Sequence, residues 1–159
     1  MAHRRLDGGA SPRVVTARAW MLVVDAAGGT AQAAFDSVCD DLVSRARGSG
    51  VAMLNIDRSF TAGEIGHCTT RLADQGLVAL VGSNSPALVA ALGGAREAVT
   101  GTNPLSFALP HPDGPRMFDQ AASATAWVNI RDAADRGEFI PIGWRSLPTG
   151  RGRPTRRRG

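Results

Sequence analysis

Apolar residues along this chain fall into short continuous runs and single-face stripes, and their order predicts the architecture. Residues 19–25, AWMLVVD, form a run of strand length closed by a carboxylate, and AAGG follows as a loop. Thr30 then stands where a helix N-cap is wanted. Ala31, Ala34, Phe35, Val38, Cys39, Leu42, Val43 and Ala46 recur at the spacing of one face of a single helix, which Gly48 or Gly50 ends. Asp36, Asp40, Asp41, Ser44, Arg45 and Arg47 take the other face, acids first and arginines last, as the helix dipole favours. That charge run reads as solvated surface and Cys39 as core. VAMLNI (51–56) predicts a buried strand, DRSFTAG a loop, EIGHCTTRLADQ (64–75) a shorter helix stopped by Gly76, and LVALVG (77–82) another strand.

Beyond SNSP (83–86) the pattern turns irregular through PALVAALGG and REAVT, then sharpens at GTNPLSFALP (101–110). Gly101 permits positive φ, Asn103 tolerates a left-handed turn, and Pro104 fixes its own φ, so GTNP reads as a rigid turn delivering a short strand. HPDGP (111–115) is a hairpin-type turn, RMFD (116–119) a short strand ending on a carboxylate, and ATAWVNIRDAADRG (124–137) a helix with a glycine stop. Strand, helix, strand, helix, strand in that order points to an α/β layer structure. No repeat is present, and no GxGxxG joins a strand to a helix, so a Rossmann nucleotide site has no support.

With 159 residues, 43% of them hydrophobic, the chain has the size of one domain with a core. Its apolar runs are too short to span a membrane, and the basic start MAHRR lacks an apolar segment behind it; a soluble cytoplasmic protein is the expectation. Cys39 and Cys68 are too few for a disulfide framework and suit a reduced compartment. The net charge of +4 invites a nucleic-acid reading, yet all 18 basic residues are Arg and six of them lie in residues 145–159, where there is no acid. Without that tail, 12 Arg face 14 Asp and Glu, a balance of −2. No aromatic residue sits among the tail arginines to stack on bases, so nucleic-acid binding is the weaker alternative.

Standard catalytic patterns are absent. His3, His67 and His111 are far apart in sequence and make no paired-histidine metal motif, and His67 at a helical position reads as structural or surface. Asp119 at a strand end can hold a ribose hydroxyl or cap the coming helix, capping being the commoner use, and Ser85 in SNSP has the same ambiguity. From the residues alone the reading stops at an α/β domain with several polar strand-end turns.

Taken together, VDAAGG (24–29), GLVALVGSNSP (76–86), GG (93–94), GTNPLSFALP, FDQAASATAW (118–127) and IPIGW (140–144) resemble the type-2 malate/L-lactate dehydrogenase family. GTNP followed by FDxAxS is the specific pairing. The resemblance runs from about Leu6 to Trp144 and implies an NAD(P)-dependent oxidoreductase whose NAD or NADP sits in a non-Rossmann α/β fold, a mixed sheet with flanking helices. It implies a small 2-hydroxy or 2-oxo acid, or a cyclic imine, as substrate, and a homodimer. Position by position, Ser85, Thr102, Asn103, Asp119, Gln120 and Ala121 match family cofactor contacts. Residues 1–18 then read as an extension or the start of a partial domain, 19–144 as a partial cofactor-binding domain and 145–159 as a disordered arginine-rich tail.

Two departures carry expectations of their own. The family's Ser-His-Gly segment with its acid/base histidine has no counterpart here. A second family histidine aligns with Thr61, and threonine does not exchange protons near neutral pH. A truncated, weakly active or inactive form is therefore expected, the alternative being a noncatalytic module that binds dinucleotide or a full-length relative through the family's dimer surface. RSLPTGRGRPTRRRG also departs from the family's continuation after Trp144, as a frameshift near Arg145 would produce; in-frame DNA without family-like coding downstream would sink that idea.

Overall fold

The computed structural model describes residues 6–87, 89–90 and 98–139; GG (93–94), IPIGW (140–144) and the arginine-rich tail (145–159) lie outside them. The chain divides into two compact units, Met1–Val81 with Ser106–Asp119, and Gly82–Leu105 with Gln120–Gly159. The strands are β1 (Arg13–Arg18), β2 (Met21–Asp25), β3 (Met53–Asp57), β4 (Ala79–Gly82), β5 (Val89–Ala90), β6 (Ala98–Thr100), β7 (Leu105–Leu109) and β8 (Arg116–Gln120). The helices are α1 (Ala31–Asp36), α2 (Cys39–Ser49), α3 (Gly66–Asp74) and α4 (Trp127–Asp135). Instead of one layer, the described strands form sheets ordered β1-β2-β3, β4-β7-β8 and β5-β6.

In the first unit β2 lies antiparallel to β1 and parallel to β3, a mixed sheet. The parallel pairing follows from the connection, since α1 and α2 carry the chain back across the sheet. Their apolar stripe supplies Ala34, Phe35, Val38, Cys39, Leu42 and Val43, which pack on Leu22, Val24 and Ala26 and on Cys68 and Leu72 of α3. Each large side chain buried here contributes about 1.5–3 kcal/mol relative to exposure. Cys39 and Cys68 are free and buried, and burial pushes the Cys68 thiol up to about 11, as for inert core residues.

Thr30 caps α1, its hydroxyl accepting from the Ala33 amide at 3.2 Å. The single helix predicted over 31–46 is broken, however. Ser37 turns its hydroxyl back to donate to the Ala34 carbonyl at 2.7 Å, and Val38 leaves helical geometry at φ −130°, so the ladder restarts at Cys39. The apolar stripe survives because both segments face the same core. Gly50 ends α2 at φ +78° and Gly76 follows α3 at φ +78°, both as left-handed stops.

Fully buried Thr69 and Ser106 tie α3 to the β7-β8 hairpin. Their hydroxyls are 2.8 Å apart, and Ser106 donates to the Phe118 carbonyl at 2.7 Å. His67 is exposed on α3 beside Asp36, as its helical position suggested. No helix among the described residues is long and apolar enough to cross a membrane.

Candidate functional site

The C-terminal ends of parallel strands are where α/β sheets gather polar groups. At the ends of β2 and β3 the loops run side by side: the Ala26 amide donates to the Asp57 carbonyl at 2.9 Å and the Gly28 amide to the Arg58 carbonyl at 2.9 Å. Asp25 is 5% exposed, and both its oxygens are engaged. Oδ1 accepts from Arg58 Nε at 2.8 Å and the Ala27 amide at 2.9 Å; Oδ2 accepts from Arg13 Nη2 at 3.0 Å and from Arg58 Nη2. Ala27 (φ +52°) and Arg58 (φ +54°) hold backbone conformations disfavoured for L residues, and the carboxylate between them stabilises both turns. Sequence reading missed this cluster; the signal available was an acid closing β2 and an arginine just past β3.

The Arg58 guanidinium, helped by the Ala27 amide, holds the Asp25 carboxyl well below the ordinary carboxylate range, against the opposing effect of its burial. Folding lowers this pKa, so the ionised form contributes stability above about pH 4 that is lost as the pH falls toward the folded value. Asp25→Asn is therefore expected to lower the urea midpoint at neutral pH and to flatten its dependence below about pH 4. Parallel midpoints for wild type and variant at pH 7 would contradict this.

Thr61 lies in the adjoining loop and is exposed. Its hydroxyl accepts from the Gly63 amide at 3.2 Å, a local turn bond. Asp119 of β8 has a definite partner: Oδ2 accepts from the Gly66 amide at 2.7 Å. The residue before α3, Ile65, offers no capping side chain, so Asp119 supplies the cap from 53 residues away, at the positive end of the helix dipole. The capped helix is thus α3 and not, as expected, the helix that follows Asp119 in the chain, and the close approach uses the bareness of Gly66, where a Cβ would lie 3.0 Å from the carboxylate.

The second unit gathers several of the remaining predicted residues. The Ser85 hydroxyl lies 3.2 Å from that of Thr102, and the Ser85 amide donates to Asn103 Oδ1 at 2.9 Å. Asn103 Nδ2 donates to Thr100 Oγ1 at 3.1 Å, and the Ser83 amide to the Pro104 carbonyl at 3.1 Å. Thr102 also accepts at its carbonyl from the Ala122 amide at 2.7 Å, which fixes the chain just after Gln120 and Ala121 against the GTNP turn. Asn103 is left-handed at φ +34°, as its residue type suggested. Gly101 is different: its φ is not positive, and its role is close approach. A Cβ there would stand 2.5 Å from Ser85 Cβ, 2.6 Å from the Ser85 carbonyl oxygen and 2.8 Å from that of Pro86.

The sequence profile of the malate/L-lactate dehydrogenase family matches residues 1–156. The chain belongs to this family. It is 40% identical over 144 residues to a Δ1-pyrroline-2-carboxylate/Δ1-piperideine-2-carboxylate reductase of Pseudomonas putida, a match covering 90% of this chain and 42% of that protein. A (2R)-3-sulfolactate dehydrogenase (NADP+) of Chromohalobacter salexigens is 37% identical over 122 residues, 76% of this chain and 36% of the relative. The crystal structure of Δ1-piperideine-2-carboxylate reductase from Pseudomonas syringae pvar. tomato superposes with a TM-score of 0.72 at 38% identity, covering 86% of this chain and 41% of that one. The chain thus spans about two fifths of the length of these malate/L-lactate dehydrogenase family members, and its α/β architecture with a mixed sheet is of their kind.

Proposed function

We propose that the loops at 83–86, 101–104 and 120–122 form part of a dinucleotide site in an NAD(P)-dependent oxidoreductase of non-Rossmann α/β fold. The observation that carries this reading is the clustering of Ser85, Thr102 and the Ala122 amide around one turn, from segments distant in sequence. Two adjacent hydroxyls able to donate or accept, together with turn amides, suit ribose and phosphate oxygens. In this reading Ser85, Thr102, Gln120 and Ala121 bind and orient the dinucleotide. The nicotinamide, when bound, exchanges a hydride with the α-carbon of a small 2-hydroxy or 2-oxo acid or a cyclic imino acid. The names of the reductases matched above favour the cyclic imino acid, and the family resemblance favours a second copy of the chain as partner.

Calorimetric titration of the full chain with NADH and NADPH tests the reading. Saturable heat with one of them is expected, weakened about tenfold by Ser85→Ala or Thr102→Val if each hydroxyl supplies an ordinary hydrogen bond. Absence of saturable heat for both cofactors in the wild-type chain would exclude it. Thr61 supports a second reading, a noncatalytic module that binds dinucleotide without turnover; cofactor heat unaccompanied by substrate reduction would select it.

A further inference from the structure

We propose that Asn103 is a positioning residue, which locks the Ser85 loop to the GTNP turn through its side-chain amide and makes no cofactor contact of its own. Both ends of that amide are already used within the protein. Oδ1 accepts from the Ser85 amide at 2.9 Å, and Nδ2 donates to Thr100 Oγ1 at 3.1 Å, so one planar group bridges the end of β6 and the SNSP loop. The backbone at φ +34° aims the side chain back over its own turn, and asparagine is among the few residues that hold a left-handed conformation at modest cost. Gly101 completes the arrangement by giving no Cβ to push the Ser85–Pro86 backbone away.

The consequence lies at the neighbouring hydroxyl. With its amide pinned by Asn103, Ser85 has a restricted backbone, and its side chain is left 3.2 Å from Thr102 Oγ1. Asn103 thus orders the Ser85 and Thr102 pair before any ligand arrives, which lessens the ordering cost of binding. This part of the inference rests on the dinucleotide reading above; the lock itself does not.

Two variants separate the possibilities. Asn103→Gly keeps the left-handed turn accessible and removes both hydrogen bonds, whereas Asn103→Asp keeps an acceptor for the Ser85 amide. Asn103 is exposed, so cooperative unfolding is expected to persist in both. Residue-resolved amide hydrogen exchange is expected to show the Ser85 amide opening about tenfold faster in Asn103→Gly and close to wild type in Asn103→Asp. Calorimetry with NADH and NADPH is expected to show about tenfold weaker binding of the preferred cofactor to Asn103→Gly. Unchanged Ser85 exchange in Asn103→Gly would overturn the lock. Faster exchange with unchanged cofactor affinity would overturn the positioning role. If wild type binds neither cofactor, the dinucleotide reading fails separately, and Ser85 exchange alone decides whether the lock exists.

Discussion

Gly101→Ala is expected to weaken dinucleotide binding by about two orders of magnitude, the scale on which misplacement by an ångström acts in a preorganised site. It is also expected to destabilise the second unit by about 1–3 kcal/mol, the usual cost of overpacking. Dihedral strain is not the cause, since φ at Gly101 lies outside the left-handed region. The added methyl would meet Ser85 Cβ at 2.5 Å and the carbonyl oxygens of Ser85 and Pro86 at 2.6 and 2.8 Å, and two of those three atoms are backbone that cannot rotate aside. The Ser85 segment must then withdraw, opening the bond from its amide to Asn103 and the 3.2 Å approach of its hydroxyl to Thr102. Chemical denaturation and cofactor titration of the same preparation measure both effects. Wild-type affinity in Gly101→Ala would show that the loops adapt without losing function, and would sink the claim that their packing sets the site.

Glycine at 101 shows where the sequence was legible and where it was not. The residue type announces a special backbone position, but only the packing of Ser85 and Pro86 tells close approach from positive φ. Similarly, the acid at the end of β8 was recognisable as a cap or ligand, while its partner, the Gly66 amide, lies 53 residues earlier and leaves no local trace. β2, α3 and β7 were readable because burial imposes an apolar run or a one-sided apolar pattern, whereas β3, expected as a buried strand, alternates between exposed and half-buried positions. β1 was not readable, because this edge strand, with an arginine at each end, has no buried face; its burial pattern is nearly all exposed. Its hairpin to β2 turns on Ala19 and Trp20, between the paired Arg18 and Met21, without the Asn-Gly signature that would have announced it. The break at Ser37 and Val38 was hidden for a related reason: hydrophobic spacing records which side faces the core, and here that spacing continues across a gap in the hydrogen-bond ladder.

The same distinction governs Asp25. An aspartate closing a strand is common, and its weight comes from Arg13, 12 residues before it, and Arg58, 33 residues after it, both converging on one carboxylate. Ala27 and Arg58, the two non-glycine positive-φ residues at these strand ends, are each bonded to that carboxylate, so the acid and the strained turns are one feature. A pattern of this sort is a tertiary fact, and the pH dependence of stability is the measurement that reads it.

Reduction of a cyclic imino acid is expected to exceed that of a 2-oxo acid by about two orders of magnitude or more in this chain, the scale of a missing general acid, although both rates should be low. The reason is the residue at 61, where the family resemblance puts a histidine and this chain has threonine. A threonine hydroxyl, here accepting from the Gly63 amide, does not give up its proton near neutral pH and cannot act as the general acid. Hydride addition to the carbonyl carbon of a 2-oxo acid breaks the C=O π bond and leaves charge on oxygen, which needs a proton from the protein. A cyclic imine entering as its iminium already carries that proton on nitrogen. Addition of hydride to its carbon moves the C=N π electrons onto nitrogen and gives a neutral amine, with no protein acid required. Initial rates with NADH and NADPH against Δ1-piperideine-2-carboxylate and pyruvate measure the ratio directly. The imine rate should fall as rising pH removes the iminium proton, and Thr61→His should raise the pyruvate rate more than the imine rate. Equal rates for the two substrates in the wild-type chain would mean that some other group delivers the proton, and the weight placed on Thr61 would be misplaced.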